Sequence, residues 1–577
     1  MYVLVRRVGR GAAASATVLV SALDEQGAAT EPERRLDPAS LVQYVREREA
    51  GSPRWVWDDT AVAYPPLLAA GVRVRRCHDL RLSHAILRNS TLTAASELAL
   101  AESDVWDSAV PEPALVQQPP QADALFDFDG FFDAPCADEP FPVGDDDAGR
   151  EFRRQLEAVA GSAEPGRIRL LLAAESAGAL VAAEMRFAGL PWRSEIHEAL
   201  LTAELGPRVA HGVRPQRLEQ LAGEIRDLLG NQTVNPDSPQ EMLKALQGAG
   251  LQVASTQSWV LQEIEHPVIA PLLRYKKLSR LLTANGWSWL DSWIVNGRFH
   301  AEYLPGGVVT GRWAARGGGA LQLPKQVRGA VVADAGWTFV VADAAQLEPR
   351  ILAALANDMA MARAGTGTDL YAGIVASGVV ETRAHAKVAM LGAMYGATTG
   401  ESGRLLPRLA AAYPRALGLV ETAARRGERG DVVTTRLGRS SPRPPVAWLD
   451  AQAHAYEPDA TAVDERRARA QARDWGRFTR NFVVQGSAAE WALCWMADIR
   501  LQLWPEAGET AGVVTQSAHL VFFLHDEVIV HTPLAHAEHV AAVITRSAQT
   551  AGRLLFGDFP VDFPLTVAIV DSYADAK

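Results

Sequence analysis

Residues 340–350 read VVADAAQLEPR, and this stretch decides the fold expected for the chain. An apolar run that begins at Trp337 is interrupted by one acid, Asp343, and then gives way to helical spacing in Leu347 and Ile351. The pattern predicts a buried strand that ends in a carboxylate and is followed by a helix. Such a carboxylate either holds a hard cation or caps the next helix, and this stretch alone leaves both roles open.

A second acid lies far downstream in residues 520–530, which read LVFFLHDEVIV. Two β-rich apolar runs flank the triplet His525-Asp526-Glu527, a pattern typical of a hairpin with a polar turn. The triplet has none of the Gly, Asn or Pro residues that ordinary turns recruit, which favours a functional turn over a purely structural one. On adjacent strands, Asp343 and Asp526 could hold two divalent cations about 4 Å apart, which activate an attacking hydroxyl and stabilise a leaving phosphate oxygen.

Between the two acids, four side chains recur every fourth residue: Arg383, Lys387, Leu391 and Tyr395. This spacing predicts one stripe on a helix. The two cations can bind a triphosphate while the distal side chains pack on a base. The alternative is a solvated basic end on a core helix. The two acids favour the first interpretation, because a triphosphate would contact both the cationic side chains of the helix and the metal ions that the carboxylates hold.

The three stretches resemble motifs A, B and C of the family A DNA polymerases, the DNA polymerase I type, in the family's order and at about its spacing. Residues 310–312 (TGR), 321–324 (LQLP) and 295–300 (VNGRFH) resemble segments that precede motif A. Residues 477–490, with Arg477, Asn481 and QGSAAE, resemble the helix that contacts primer and template. The resemblance covers roughly two thirds of the chain, from about residue 184 to the C-terminus.

The resemblance implies an α/β multi-domain fold, in which a right-hand polymerase of palm, fingers and thumb follows an RNase H-like 3′–5′ exonuclease-type domain. The predicted limits are 1–120 for the exonuclease-like domain, 121–150 for an acidic flexible linker or insertion, 151–183 for the end of the exonuclease-like domain, 184–290 for the thumb, 291–348 for the first part of the palm, 349–477 for the fingers and 478–577 for the second part of the palm.

The activity that the resemblance implies is template-directed addition of dNTPs to a primer 3′-hydroxyl, with release of pyrophosphate and two Mg²⁺ ions as cofactors. The implied metal ligands are Asp343 and Asp526. The implied catalytic residues are Asp343, Asp526, Glu527 and Lys387, the last placed to protonate the leaving group. The implied dNTP contacts are Arg383, Lys387, Leu391, Tyr395, Gln346 and Glu348, and the implied DNA contacts are Arg312, Arg477, Asn481, Gln485 and His525.

Three residues depart from the family pattern. Leu391 stands where the family places Phe or Tyr, Ala344 replaces an aromatic residue, and Pro349 stands where leucine is usual. Proline is tolerated in a first helical turn, so the fold is expected to survive. Weaker stacking on the incoming nucleotide and altered sugar selectivity are expected, whereas the chemical class is not affected. Glu348 matches the family's steric gate against ribonucleotides.

The N-terminal part lacks the acids of a working exonuclease. Alternating valines in residues 1–23 predict a β-hairpin rather than a signal peptide. With residues 18–23 as the first strand, Asp24 and Glu25 are adjacent and point to opposite faces. Asp59 and Asp79 alone cannot hold two metals, because proofreading needs about four convergent carboxylates. The sequence therefore predicts a degenerate exonuclease-like domain.

Two alternatives accompany this interpretation. One is a bifunctional enzyme with an active 3′–5′ exonuclease as well. The other is a non-catalytic primer-template DNA-binding protein. The second is disfavoured because Asp343, Arg383, Lys387 and Asp526 would be costly clustered charges without a catalytic task.

The net charge of −11 argues at first against a nucleic-acid partner. Residues 121–150 contribute −8 of it, so the remainder is near −3 and compatible with an arginine-lined groove. Three scattered cysteines form no disulfide or zinc pattern, and no apolar run reaches membrane-spanning length. We therefore expect a monomer that binds primer-template DNA and dNTPs, has no membrane partner, and acts in the bacterial cytoplasm in association with the nucleoid.

Overall fold

The fold is α/β, with four sheets in the part of the chain that the structure describes. The computed structural model describes residues 1–7, 17–107, 147–210, 212–367, 369–396, 400–504 and 512–576. A five-stranded sheet lies in the N-terminal part and a four-stranded sheet in the C-terminal part, and two small sheets lie between them in sequence. No helix within these ranges combines the length and the hydrophobicity needed to cross a membrane.

Twelve helices and strands lie in the described residues of the N-terminal part. They are β1 (Tyr2–Arg7), β2 (Val18–Leu23), β3 (Arg34–Leu36), α1 (Pro38–Glu49), β4 (Arg54–Trp57), α2 (Thr60–Ala63), α3 (Pro65–Ala69), β5 (Cys77–Asp79), α4 (Leu80–Asn89), α5 (Glu97–Leu100), α6 (Asp147–Ala160) and α7 (Pro165–Ala188). The sheet order is β3-β2-β1-β4-β5, with β1 antiparallel to β2 and parallel to β4. The predicted N-terminal hairpin is confirmed.

Two expectations for this part are wrong. The first strand of the sheet is β1 and not residues 18–23, because the alternating apolar residues of β1 are buried between β2 and β4. The second is the end of the acidic segment, since residues 147–150 belong to helix α6. The rest of that segment, residues 121–146, lies outside the described residues.

The region predicted as the thumb is mainly helical. It contains β6 (Leu190–Pro191), α8 (Ser194–Leu205), α9 (Gln216–Leu229), α10 (Pro239–Gly248), α11 (Ser258–Gln262), α12 (Ile269–Asn285) and α13 (Trp287–Trp293). Short strands follow: β7 (Ile294–Val295), β8 (Arg298–Phe299), β9 (Tyr303–Leu304) and β10 (Ala314–Ala315). The loop between β9 and β10 carries Arg312.

The four-stranded sheet positions the candidate site. It consists of β11 (Trp337–Ala344), β12 (His519–Leu524), β13 (Glu527–Pro533) and β14 (Leu565–Val570) in the order β12-β13-β11-β14. Every neighbouring pair is antiparallel. β11, β12 and β13 are almost wholly buried, which explains their nearly continuous apolar sequences. Helix α22 (Ala537–Phe556) packs on this sheet.

The helices between β11 and β12 form the region predicted as fingers. They are α14 (Leu347–Leu355), α15 (Met359–Ala364), α16 (Leu370–Ala376), α17 (Arg383–Tyr395), α18 (Gly400–Ala412), α19 (Pro414–Glu428), α20 (Val446–His454) and α21 (Ala462–Gln502). A capping box of Thr461 and Asp464 begins α21, which at 41 residues is about 60 Å long. It packs on α7 of the N-terminal part, on α19 of the region predicted as fingers and on α22, which covers the four-stranded sheet.

Three predicted domain boundaries fall inside helices. The boundary at 183/184 lies in α7, the one at 348/349 in α14 and the one at 477/478 in α21. The chain does not leave its helix at any of these residues. Adjacent regions are therefore joined by rigid elements, because each helix continues through the predicted boundary.

Two buried histidines make the four-stranded sheet sensitive to acid. His531 stacks on Trp337 with ring centroids 4.6 Å apart, and His519 lies 5.7 Å from it. Desolvation lowers the pKa of His519 to about 4, and desolvation together with His519 lowers that of His531 to about 3. The unfolded value is about 6.5, so the unfolded chain binds more protons and stability is lost as the pH falls below 6.5.

We expect His531→Phe to remove part of this loss. Between pH 7 and pH 4.5, the variant should lose about 3 kcal/mol less of its unfolding free energy than the wild type. Urea unfolding at both pH values measures the difference. The exposed residue His539 supplies the control His539→Phe, which should behave as wild type. Equal acid sensitivity of His531→Phe and wild type would contradict the assignment.

Candidate active site

The two predicted acids lie at the same edge of the four-stranded sheet. Asp343 is the penultimate residue of β11 and stands opposite Glu527 in the antiparallel register. The backbone amide of Ala344 donates to the carbonyl oxygen of Asp526 at 3.0 Å. Asp343 therefore lies on β11 and Asp526 in the turn just before the adjacent strand β13, and their role as metal ligands stays a prediction.

The hairpin turn consists of His525 and Asp526. His525 has a φ of 59°, a left-handed conformation that is uncommon without glycine. Desolvation and the positive charge of Arg312 lower the pKa of His525 to about 4. The ring is therefore neutral at pH 7 and offers a hydrogen bond rather than a charge.

Asp526 is under electrostatic strain from its acidic neighbours. Burial, followed by the charges of Asp343 and Glu348, raises the pKa of Asp526 to about 7. A divalent cation between Asp343 and Asp526 would relieve this repulsion, and carboxylate oxygens are the ligands that hard cations prefer. The residues present therefore fit a divalent metal site.

The buried side chain of Glu527 contacts Tyr573 and Arg328. Its Oε1 accepts a short hydrogen bond from the hydroxyl of Tyr573 and lies 3.8 Å from Arg328. The Arg328 guanidinium stacks over the Tyr573 ring at 4.3 Å. These contacts tie the first residue of β13 to the last turn of the chain, Tyr573–Ala576. The position suits an acid that holds the hairpin in place.

The predicted stripe of four residues lies on one helix, α17. Thr382 caps the helix, and Arg383 is its first residue. The Nε of Arg383 donates to Asp369 at 2.7 Å, and its guanidinium lies 5.6 Å from the Tyr371 ring centroid. Lys387 is half-buried one turn later. The N-terminal end of α17, with its positive dipole, is therefore the cationic end of the stripe.

Glu348 connects the sheet side of the site to α17. One of its oxygens pairs with the Arg312 guanidinium, and the other accepts a hydrogen bond from the Tyr395 hydroxyl at 2.6 Å. Although burial disfavours its charge, Glu348, Tyr395 and Asp526 raise the pKa of Arg312. Both carboxylate oxygens are engaged, so the Glu348 side chain is held in one orientation.

Gln346 connects the site to α16. It adopts a left-handed φ of 52° just before α14. Its side-chain amide donates to Asp369 at 2.9 Å, and its side-chain oxygen accepts from the Leu370 amide at 2.7 Å. Gln346 therefore positions Asp369, the partner of Arg383.

A cavity of about 250 Å³ lies between α14, α17, α21 and the hairpin turn. Seven of the predicted site residues line it: Arg312, Gln346, Glu348, Leu391, Tyr395, His525 and Asp526. The lining also includes apolar side chains, among them Trp313, Leu493, Met496 and Phe523. Seven of the fourteen predicted site residues therefore line one cavity, whereas the other seven are not among its lining residues: Asp343, Glu527, Arg383, Lys387, Arg477, Asn481 and Gln485.

Comparison with known proteins decides the family. The profile of DNA polymerase family A matches residues 213–574, well over half of the chain. The chain belongs to DNA polymerase family A. A thermostable DNA polymerase I of Thermus thermophilus is 27% identical over 349 residues, covering 55% of this chain and 37% of that protein. A DNA polymerase I of Chloroflexus aurantiacus is 26% identical over 436 residues, covering 68% and 42%. The chain thus spans less than half the length of these relatives.

A solved structure supports the family A fold over the whole chain. The structure described as the POL domain of Pol1 from M. smegmatis in complex with DNA primer-template and dNTP matches with a TM-score of 0.64 and 19% sequence identity. The match covers 100% of this chain and 95% of that one. The predicted right-hand polymerase fold is confirmed.

The predicted DNA contacts on α21 lie one turn apart, at Arg477, Asn481 and Gln485, and so occupy one face. Gln485 interacts with the Tyr395 hydroxyl. Arg477 is instead paired with Asp474 one turn earlier. Engagement of DNA by Arg477 would require exchange of that intrahelical partner.

The partners of the site residues could not be recognised from the sequence. Four residues contact predicted site residues but belong to no motif: Asp369, Tyr371, Arg328 and Tyr573. Asp369 is the N-cap of α16, a role that explains an aspartate at this position without any part in the site. Tyr573 lies near the C-terminus, where nothing in the sequence links it to Glu527.

We expect the ion pair between Arg383 and Asp369 to lower the affinity for nucleotides, because Asp369 competes with the triphosphate for Arg383. Asp369→Asn should keep the cap on α16, since asparagine caps as well as aspartate. It should weaken the ion pair of Arg383, whose side chain is 59% exposed, and leave the guanidinium more available to a triphosphate. An exposed pair is worth about 0.2–1 kcal/mol, so the KM for dNTP should fall about 1.4- to fivefold. Steady-state kinetics measure this, and an unchanged or raised KM would contradict the competition.

Proposed function

We propose that the chain is a template-directed DNA polymerase that extends a primer 3′-hydroxyl with dNTPs and releases pyrophosphate. The observation that carries this proposal is the convergence of Asp343 and Asp526 at one end of the four-stranded sheet, beside a cavity lined by Glu348 of α14 and Tyr395 of α17. Such an arrangement suits nucleotidyl transfer, because both the attacking oxygen and the leaving phosphate carry developing negative charge.

Asp343 and Asp526 are the proposed ligands of two Mg²⁺ ions. When bound, these ions lower the pKa of the primer hydroxyl and neutralise charge on the departing pyrophosphate. Asp343 is held on β11 and Asp526 in the adjacent hairpin turn, where the carbonyl oxygen of Asp526 accepts from the Ala344 amide. Glu527 is proposed to keep the hairpin in register from behind, through Tyr573.

Helix α17 is proposed to hold the triphosphate. Its N-terminal end places Arg383 first and Lys387 one turn later, and helix N-termini favour anions. Arg383 would exchange Asp369 for phosphate oxygens. Lys387 would donate a proton to the leaving group. Leu391 and Tyr395, further along the same stripe, would contact the sugar and base.

Glu348 is the proposed steric gate. Its carboxylate is fixed between Arg312 and Tyr395 in the lining of the cavity. A ribose 2′-hydroxyl would need the volume that this side chain occupies. All correct base pairs offer similar acceptors in the minor groove. The proposed contacts with primer and template at these acceptors and the backbone are Arg312, Arg477, Asn481, Gln485 and His525.

The N-terminal domain is proposed to be a degenerate exonuclease-like fold. Its central strand β1 contributes arginine instead of acid, and Arg7 pairs with Asp58 at the end of β4. Arg81 pairs with Asp59 at 3.0 Å, so cationic side chains stand where metals would be needed. These pairs support a domain without nuclease activity over the bifunctional alternative.

The localisation of the protein and its oligomeric state are also proposals. The bacterial relatives support action in the cytoplasm at the nucleoid. A monomer remains the expected state, which the molar mass in solution tests.

A primer-extension assay tests the proposed activity. A labelled primer on templates that differ in their first unpaired base should gain only the complementary nucleotide, in the presence of Mg²⁺ and dNTPs. Incubation without dNTPs should leave the primer at full length. Shortening in that arm would favour the bifunctional alternative, and DNA binding without extension would favour the non-catalytic one.

A further inference from the structure

We propose that Arg439, held by Glu175 of the N-terminal domain, is a positioning residue that sets the place of Arg312 and thereby the discrimination between matched and mismatched primer ends. The inference rests on the proposed polymerase function. It gives the N-terminal domain a task in this chain that needs no nuclease chemistry.

The segment 434–440 is clamped from two sides. On the N-terminal side, the Ser90 hydroxyl donates to the carbonyl oxygen of Gly438 at 2.6 Å, and Arg167 donates to that of Arg436 at 2.6 Å. On the other side, Ser487 accepts from the Arg436 amide at 2.9 Å, and Glu490 accepts from the Leu437 amide at 2.8 Å. These two residues belong to α21. The segment is therefore fixed relative to both the N-terminal domain and the polymerase body.

Arg439 projects from this clamped segment onto a buried acid. Its guanidinium donates to Oε2 of Glu175 on α7 at 2.6 Å, and the two side chains are 11% and 1% exposed. Arg81 also acts electrostatically on Glu175 from the N-terminal domain. A buried carboxylate of this kind depends on its cations, because it has no water to solvate it.

The same guanidinium packs directly against Gly311. Gly311 has a φ of +85°, and a Cβ built there would lie 2.4 Å from Nε and 2.8 Å from Cζ of Arg439. A Cβ built on Gly306 would lie 2.9 Å from Oε1 of Glu175. The Glu175–Arg439 pair therefore occupies the space of two missing side chains in the loop between β9 and β10.

Arg312 is the next residue of that loop. It reaches Glu348 and, through it, Tyr395. A shift of Gly311 would move Arg312 with it, because the two share a peptide bond. Displacement of a substrate-positioning group by 1 Å can cost on the order of 10²-fold in rate. An arginine that donates to the minor-groove acceptor of a matched primer end favours extension of that end. Its displacement would slow the extension of matched ends most, because mismatched ends already lack the correctly placed acceptor.

The test compares extension from matched and mismatched 3′ ends by the full chain. Glu175→Gln removes the charge that holds Arg439. Arg439→Lys keeps a cation but loses the planar group that packs on Gly311, and serves if Glu175→Gln does not fold. We expect each to lower the matched-to-mismatched rate ratio about tenfold. The control is Arg186→Gln on the same helix, which breaks an exposed pair with Glu302 and should keep the wild-type ratio.

A double-mutant cycle separates positioning from general weakening. In an Arg312→Lys background, Glu175→Gln should change the ratio less than twofold, because both act through one contact. Equal slowing of matched and mismatched extension in Glu175→Gln and Arg439→Lys would overturn the inference, as would additive effects in the cycle. Absence of extension by the wild type would instead contradict the proposed polymerase function, and the inference would fall with it.

Discussion

Asp526→Asn is expected to slow primer extension by about 10³-fold or more while making the metal-free protein more stable. The loss follows from removal of a metal ligand, worth several kcal/mol of transition-state charge stabilisation. The gain follows from the pKa of Asp526, which burial, Asp343 and Glu348 raise to about 7. The unfolded value is about 3.9, so the native state binds more protons than the unfolded chain between pH 4 and 7, and stability falls as the pH rises through this window.

The size of the stability gain can be measured by urea unfolding without divalent ions. Between pH 5 and pH 8 the wild type should lose up to about 3 kcal/mol at this site, and Asp526→Asn should not. Asp558→Asn, at an exposed position, is the matched control and should follow the wild type. An Asp526→Asn variant that is no more stable than wild type at pH 8 would contradict the crowding of carboxylates at the site.

The second large effect is expected for sugar selection. Glu348→Ala should raise the efficiency of ribonucleotide incorporation relative to dNTP roughly tenfold to a hundredfold, since forcing an extra group into an occupied volume costs about 1–3 kcal/mol. The side chain cannot swing aside easily, because Arg312 and Tyr395 engage both its oxygens.

A matched variant separates volume from charge. Glu348→Gln keeps the volume but weakens the pair with Arg312, so it should reduce the rate and leave sugar discrimination within about threefold of wild type. The ratio of kcat/KM for rNTP to that for dNTP measures both variants. Unchanged discrimination in Glu348→Ala would remove Glu348 from the gate.

Local periodicity was sufficient to predict the centre of the site. The apolar run before Asp343 and the two runs around Asp526 predicted β11 and the β12–β13 hairpin, because buried antiparallel strands need continuous apolar sequence. The fourfold spacing from Arg383 to Tyr395 predicted one helix face, and α17 has these residues as its two ends. Each of these signals lies within about fifteen residues of sequence.

Long-range partners could not be predicted in the same way. Tyr573 meets Glu527 46 residues away in sequence, and Glu175 meets Arg439 264 residues away. An isolated glutamate or tyrosine has the same sequence signature whether its partner is water or a buried arginine. The domain boundaries stay predictions, and three of them fall inside helices because α7, α14 and α21 continue through them without a break. The first strand was misassigned because β1 and β2 are both short, largely apolar runs of six residues, and the sequence does not show which of them pairs with β4.

The most direct test of the central claim is extension of a labelled primer by the wild type and by Asp343→Ala, with Mg²⁺ and four dNTPs, alongside the affinity of both for the primer-template. The account predicts template-dependent extension by the wild type, none by Asp343→Ala, and nearly equal affinities for DNA. Extension that survives in Asp343→Ala would contradict the two-metal site at Asp343 and Asp526.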